Sequence, residues 1–317
     1  MIFAKTKSKT RVLGLALGSG GARGLAHIGA LRALREADLE PDVVAGASAG
    51  AIAAAAYASG RLGALEETAE ALDWRLVAGL FLEFGIPRDG LLKGVRVMRF
   101  LREIIPAENF NALRIPTAVV AADLDAEAEV VFTSGPLHHA LRASIAIPGV
   151  FTPVAHDGRL LADGGLVNPV PVSAARALGA THVIAVDINT RRGGTETEET
   201  KEAKGMFPTP GQWEALGRHF PVDRLRRALD AWQARRLATE TPKPSNMFTV
   251  LTRGLRLCEN TLTRALLEKS PPDLLVSPAV GHVPALDFAN ARACMDEGRE
   301  AVFRALDSGG SILLPSG

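Results

Sequence analysis

A serine flanked by glycines is the first group in this chain that could do chemistry. Ser48 stands between Gly46 and Gly50 in a G-x-S-x-G pattern, after a short apolar run and before an alanine-rich stretch. A strand followed by a helix places such a serine on a sharp turn, and the two glycines leave room for strained backbone. The N–H groups at the start of the helix then face the anion that forms during attack. The pattern predicts a nucleophile, although small residues also occur in tight turns without chemistry.

A second glycine-rich segment, from Gly18 to Gly24, also lies between an apolar run and a helical pattern. Glycines at such a junction allow backbone N–H groups to converge on a negative charge. A dinucleotide fingerprint is disfavoured because Arg23 stands at its third glycine position, and a P-loop because no Gly-Lys-Ser/Thr follows. We interpret the segment as an oxyanion hole with donors at Gly20, Gly21 and Arg23, supported by Gly18 and Gly24. The Arg23 side chain is expected to support the loop, with contact to a lipid phosphate as the alternative.

An aspartate on a third glycine turn could serve as the base. Asp163 follows an apolar run and precedes Gly164 and Gly165, so its carboxylate can reach across the mouth of a sheet. Taken alone, this tripeptide is typical of a turn. Its position after the other two motifs makes Asp163 the candidate partner of Ser48.

Other titratable residues are weaker candidates. Histidine 27 is predicted to be a packed or capping side chain, and His156 to lie in a hairpin turn. None of the remaining histidines has the sequence context of a catalytic residue; they are His138, His139, His182, His219 and His282. Asp123 and Asp125 are predicted to be solvated loop carboxylates, and Asp187 to be structural. The adjacent pair His138 and His139 is a poor metal site because neighbouring residues on a helix point in different directions.

In this order the three motifs resemble those of the patatin-like phospholipase family. The segment 143–151 also resembles the proline-containing stretch that precedes the family's catalytic aspartate, and the similarity is dense over 11–187 and weaker over 249–302. The resemblance implies a Ser48–Asp163 dyad that hydrolyses acyl esters of lipids, as a phospholipase A or esterase, without a metal or an organic cofactor. An acyltransferase on the same dyad and a regulatory or scaffold protein with a vestigial site are the alternatives.

Strand, glycine turn and helix alternate twice within the first sixty residues, which is typical of an α/β fold with a mostly parallel sheet. Together with the resemblance, this predicts a three-layer α/β/α patatin-like fold in which residues 1–317 form one domain. Its core is expected over 11–190 and 246–306. A mobile or helical excursion is expected over 191–245, where a charged segment and several prolines interrupt the periodicity.

Composition narrows the class of protein further. The formal net charge of the 317 residues is +1, which gives no overall electrostatic argument for binding nucleic acid. The two cysteines form no metal-binding or disulfide pattern, and the first apolar run is too short for a signal peptide. We expect a soluble, cytoplasmic protein whose substrate is a lipid or small ester. The sequence also allows peripheral contact with a membrane, for which the apolar segment 80–87 and the arginine-rich segment 223–237 are the candidate surfaces. It does not indicate an oligomeric state.

Overall fold

The computed structural model describes residues 11–72, 74–81, 92–189, 247–285 and 287–309. Within them, the strands form one mixed sheet in the order β5-β6-β3-β2-β1-β7-β8, and β4 also pairs with β3. The strands are β1 (Leu13–Leu17), β2 (Val43–Ala47), β3 (Thr117–Asp123), β4 (Ala128–Phe132), β5 (Val154–His156), β6 (Arg159–Asp163), β7 (His182–Val186) and β8 (Leu274–Val276). The five strands β1, β2, β3, β7 and β8 pair in parallel, whereas β4, β5 and β6 pair antiparallel with their neighbours.

Helices cover both faces of the sheet. They are α1 (Leu25–Glu36), α2 (Ala49–Ala58), α3 (Leu62–Ala71), α4 (Trp74–Phe81), α5 (Val95–Ile104), α6 (Leu137–Ser144), α7 (Val172–Ala177), α8 (Met247–Lys269) and α9 (Ala291–Gly309). Side chains of α1, α2, α5, α6 and α9 pack on one face, and those of α7 with Leu267 of α8 pack on the other. The predicted three-layer α/β/α architecture is confirmed.

The central strands are apolar on both faces because each face is covered by helices. In β1, Leu13, Leu15 and Leu17 pack with α1 and α9, whereas Ala16 packs with α7. Alternate side chains of a strand point to opposite faces, so this run of five residues contributes to two cores. That is why the strand appears in the sequence as a continuous apolar run without alternation.

One edge of β3 brings two strand ends together. Val120 pairs with Ala47 of β2, and the next residue, Ala121, pairs with Asp163 of β6. The opposite edge of β3 is occupied by β4 over the same residues, so β2 and β6 must lie on the same side and meet end to end. The residue that follows Ala47 is Ser48. The topology therefore places Ser48 beside Asp163, although 115 positions separate them in the sequence.

The two strand–turn–helix units predicted within the first sixty residues are confirmed as β1 with α1 and β2 with α2, but helices α3 to α6 and strand β5 were not predicted. These elements lie between the three motifs on which the sequence argument depends. Helix α5 could have been predicted, since Met98, Leu101 and Ile104 recur at helical spacing and are buried.

Several expectations concern residues outside the described ranges. They include the excursion 191–245, the arginine-rich segment 223–237, His219 and most of the apolar segment 80–87. The expectation that residues 1–317 form one domain therefore stays a prediction. Among the helices of the described ranges, none combines the length and apolar character needed to span a bilayer.

Candidate active site

Ser48 occupies the sharp turn that the G-x-S-x-G pattern predicts. Its backbone has φ 53° and ψ −119°, in the positive-φ region that residues with a side chain rarely adopt, and helix α2 begins at the next residue. A Cβ on Gly46 would lie 2.4 Å from the carbonyl oxygen of Gly50, and a Cβ on Gly50 would lie 2.1 Å from that of Leu17. Both glycines are therefore required by backbone contacts, as the sequence indicates.

The Ser48 hydroxyl is bonded directly to the predicted base. Ser48 Oγ donates to Asp163 Oδ2 at 2.7 Å, and the N–H of Gly165 donates to the other carboxylate oxygen, Oδ1, at 2.8 Å. Ser48 and Asp163 are each only 4% exposed. One oxygen of the carboxylate is thus anchored on its own turn while the other faces the hydroxyl.

Burial changes the basicity of this carboxylate. Desolvation raises the pKa of Asp163 to about 6, although the hydrogen bonds from Ser48 and Gly165 act in the opposite direction. An aspartate with this pKa is still mostly ionised at neutral pH. It is a stronger base than a solvated aspartate, which suits proton transfer from a serine hydroxyl.

Glycine 164 keeps the aspartate turn close to the sheet. A Cβ at this position would lie 2.3 Å from the carbonyl oxygen of Val120, the β3 residue that pairs with Ala47. Gly24 has a comparable role in the loop from Gly18 to Gly24, where an added Cβ would lie 2.5 Å from the Cβ of Ala49. The small residues of all three motifs therefore allow the three turns to approach one another.

A second serine fixes the position of the first. The N–H of Ser48 donates to the hydroxyl oxygen of Ser144 at 2.8 Å. Ser144 is the last residue of α6 and is completely buried. This contact is not apparent from the sequence. Ser144 lies in the segment 143–151 that was noted for its resemblance, but no local pattern shows that its side chain meets a turn 96 residues away.

The loop predicted as an oxyanion hole has two N–H groups available at its centre. The N–H of Ser19 donates to Pro169 and that of Ala22 donates to Ala285, at 2.8 and 2.7 Å. Between them, the N–H groups of Gly20 and Gly21 donate to no backbone carbonyl of the described residues. Gly21 has φ 60°, a left-handed conformation that favours glycine. These two amides are consistent with the predicted role as donors.

Three buried side chains hold three successive carbonyl groups of this loop. Histidine 27 donates from Nε2 to the carbonyl of Gly18 at 2.8 Å, Asn189 from Nδ2 to that of Ser19 at 2.9 Å, and Arg23 from Nε to that of Gly20 at 3.1 Å. The predicted burial of His27 is confirmed, and the contact of Arg23 agrees with a supporting role. No sequence pattern indicates the role of Asn189, because only the fold brings it beside the loop.

The acids outside the dyad have structural contacts. The N–H groups of Asp125 and Ala126 donate to Asp123 Oδ1, and Asp123 is only 3% exposed. The prediction that Asp123 is solvated was wrong because β3 extends to this residue. Asp125 is exposed as expected. Asp187 accepts the N–H of Asn189 and so helps to place a residue that supports the glycine loop.

The histidines of the described residues form their hydrogen bonds away from Ser48 and Asp163. His138 bonds to the carbonyl of Ile105, and His139 bonds to His156. The hairpin turn predicted after His156 is confirmed by the positive φ values of Asp157 and Gly158. Within the same described ranges, no three His, Cys, Asp or Glu side chains are grouped so that they could hold a metal ion.

Comparison with known proteins assigns the chain to a known family. The model of the patatin-like phospholipase family matches residues 15–176, and the chain belongs to that family. It is similar to the Mycobacterium tuberculosis protein named "Uncharacterized NTE family protein Rv1063c", with 33% identity over 93% of this chain and 91% of that protein. It is also similar to "Neuropathy target esterase sws" of Drosophila melanogaster, with 31% identity over 63% of this chain and 14% of that protein. A solved structure, VipD from Legionella pneumophila, aligns over 94% of this chain and 67% of that one, with a TM-score of 0.44 and 14% identity. Membership of the family supports a lipid hydrolase in general.

Proposed function

We propose that this chain is a serine hydrolase that cleaves carboxylic ester bonds of lipids, as a phospholipase A or an esterase, through a Ser48–Asp163 dyad. The observation that carries the proposal is the 2.7 Å hydrogen bond from Ser48 Oγ to Asp163 Oδ2. It lies on a strained turn beside a glycine loop, which is the arrangement that an activated nucleophile needs. Asp163 is the direct base in this mechanism and no histidine takes part.

Acylation begins with attack on the ester. Asp163 Oδ2 accepts the Ser48 proton as Oγ forms a bond to the carbonyl carbon, and the carbonyl oxygen becomes negatively charged. The N–H groups of Gly20 and Gly21 are the proposed donors to that oxyanion, each typically contributing about 2.7–4 kcal/mol of transition-state stabilisation. The third predicted donor, the N–H of Arg23, lies inside the short 3-10 helix Gly21–Gly24 and is not used in this step. The bond to the alcohol then breaks, and the proton on Asp163 passes to the departing oxygen.

Deacylation repeats the same proton transfers with water. Asp163 accepts a proton from water as the water oxygen attacks the acyl carbon on Ser48. The bond to Oγ then breaks and the proton returns from Asp163 to Ser48. The products are a carboxylic acid and the free enzyme. Atoms and charge therefore balance in these steps without a metal ion or a redox reaction.

The proposal predicts how activity depends on acidity. Because the base must be ionised and the pKa of Asp163 is raised to about 6, kcat/KM should fall progressively below about pH 6. A solvated aspartate would place this decline near pH 4. A pH profile with p-nitrophenyl butyrate distinguishes these two results.

Two substitutions test the dyad directly. S48A removes the nucleophile and D163N removes the base, and each should lower turnover of p-nitrophenyl butyrate by at least about 1,000-fold. The exposed Ser134 provides a matched control, since S134A should leave the rate unchanged. Circular dichroism verifies that every variant is folded. Wild-type rates in folded S48A would contradict the mechanism.

The substrate class needs a separate measurement. A panel of phospholipids, acylglycerols and simple esters is incubated with the wild type and with S48A as blank, and the products are identified by mass spectrometry. Release of free fatty acid supports the hydrolase. Transfer of the acyl group to an added lipid acceptor would show an acyltransferase, and an inert wild type would favour a regulatory or scaffold role.

A further inference from the structure

A second carboxyl group lies against the aspartate turn. Glu259 on helix α8 places its Oε1 only 2.4 Å from the position that a Cβ on Gly165 would occupy. Gly165 is the residue whose N–H anchors Asp163. The hydroxyl oxygen of Ser19, in the glycine-rich loop, is 2.9 Å from the same position. The carboxyl of Glu259 therefore lies where the aspartate turn and the proposed oxyanion loop meet.

The groups that face Glu259 carry both signs of charge. Asp163 at the end of β6 and Asp187 just beyond β7 are negative, whereas Arg23 of the glycine loop and Arg256 of α8 itself are positive. Arg23 also donates to the carbonyl of Gly20, and Arg256 donates to that of Gly281. Each of the two arginines thus also donates a hydrogen bond to a backbone carbonyl.

Glu259 as a whole is partly exposed, but its carboxyl end faces inward against Gly165. Desolvation, with the charge of Asp163 as the next cause, raises the pKa of Glu259 to about 8, and the arginines only partly oppose this. The raised pKa of Asp163, at about 6, lies below it. Two interacting carboxyls of this kind titrate as a pair, and burial together with the negative charge of Asp163 favours the protonated form of Glu259.

We propose that Glu259 is a positioning residue that supports turnover only while it is uncharged, so that its ionisation sets the alkaline limit of activity. This inference rests on the ester hydrolysis proposed above. An ionised Glu259 would place a second negative charge beside Asp163 and the glycine loop. Asp163 would then release its proton less readily to the departing alcohol, and the oxyanion would be opposed by the added charge. A neutral carboxyl has neither effect.

The first test is the shape of the pH profile. E259Q keeps the size of the side chain but cannot ionise, and E268Q removes an exposed carboxylate from the same helix as a matched control. We measure kcat/KM for p-nitrophenyl butyrate from about pH 5.5 to about pH 9.5, with S48A as blank. Above about pH 8, wild type and E268Q should lose about tenfold per pH unit, whereas E259Q should remain level, whatever its rate at neutral pH. Parallel profiles for wild type and E259Q would overturn the proposal.

The second test does not depend on catalysis. A raised pKa in the folded state gives stability that is present below the unfolded value of 4.5 and is lost as the pH rises through about 8. The melting temperature of wild type should therefore fall relative to that of E259Q between about pH 5 and about pH 9, and this difference should shrink when both carry D163N. If the wild type hydrolyses no ester, the proposed function fails. If the melting temperatures of wild type and E259Q respond equally to pH, the proposal that Glu259 is held uncharged in the folded protein is overturned as well.

Discussion

Two of the three glycine-containing turns at the site are held in different ways. The turn at Ser48 is shaped mainly by backbone contacts, because Gly46 and Gly50 lie where no Cβ fits, and one remote hydroxyl on Ser144 secures its N–H. The longer loop from Gly18 to Gly24 is instead held by three side chains that bond to three successive carbonyl groups.

This difference separates what a motif encodes from what the fold supplies. A turn defined by excluded volume leaves its signature in the residues of the turn itself. A loop defined by hydrogen bonds depends on residues elsewhere in the chain, of which Asn189 is the most distant in sequence. Substitutions in the turn should therefore disturb the backbone, whereas those around the loop should disturb individual hydrogen bonds.

The largest effect is expected from G50A. The added Cβ would lie 2.1 Å from a backbone oxygen of β1, which cannot move without breaking the sheet. We expect a loss of about 4 kcal/mol or more in the free energy of unfolding, or no folded protein, together with loss of activity. G63A is the matched control, since a Cβ there meets no atom within 4 Å and Gly63 lies within α3. That control should be neutral or stabilise by about 0.5–1 kcal/mol. Urea unfolding measures both, and a stable, active G50A would contradict the steric account.

The next largest effect is the loss of stability at low pH that results from protonation of His27, which supports the loop from Gly18 to Gly24. Burial lowers the pKa of His27 to about 4 from its ordinary 6.5. The folded state therefore disfavours the protonated imidazole, so its contribution to stability is complete above about pH 6.5 and is lost as the pH falls through about 4. The shift corresponds to a loss on the order of 3 kcal/mol for this fully buried side chain.

H27Q tests this dependence because glutamine retains a donor but does not titrate. The free energy of unfolding of wild type should decrease relative to that of H27Q between about pH 6.5 and about pH 4, as measured by urea titration. The exposed His282 supplies the control H282Q, whose curve should follow that of wild type. Equal slopes for wild type and H27Q would show that His27 is not held neutral under the loop.

A smaller effect is expected from S144A, which leaves the buried N–H of Ser48 without its acceptor. The loss in the free energy of unfolding should be about 1–3 kcal/mol. Since the nucleophile would be displaced rather than removed, kcat should fall by about tenfold or more while KM changes little. S59A is a suitable comparison, because the Ser59 hydroxyl donates to a carbonyl at the end of α2, away from the turn. An unchanged kcat in S144A would show that Ser144 does not position Ser48 for catalysis.

The sequence predicts the parts of this structure that depend on short-range sterics and burial. The buried strands β1 and β2, the turn at Ser48 and the alternation of strands and helices are apparent from apolar runs and glycines alone. The contacts of Ser144, Asn189 and Glu259 could not be predicted, because each joins elements whose proximity is set by strand order. Asp123 shows the same limit, since its burial depends on where β3 ends.

Reaction with a fluorophosphonate probe tests the central claim most directly, because the probe requires an activated serine but no knowledge of the natural substrate. Intact mass and peptide mapping should find one adduct on wild type, at Ser48, and D163N should react at least about 100-fold more slowly. An adduct at another residue, or labelling of D163N at the wild-type rate, would contradict activation of Ser48 by Asp163.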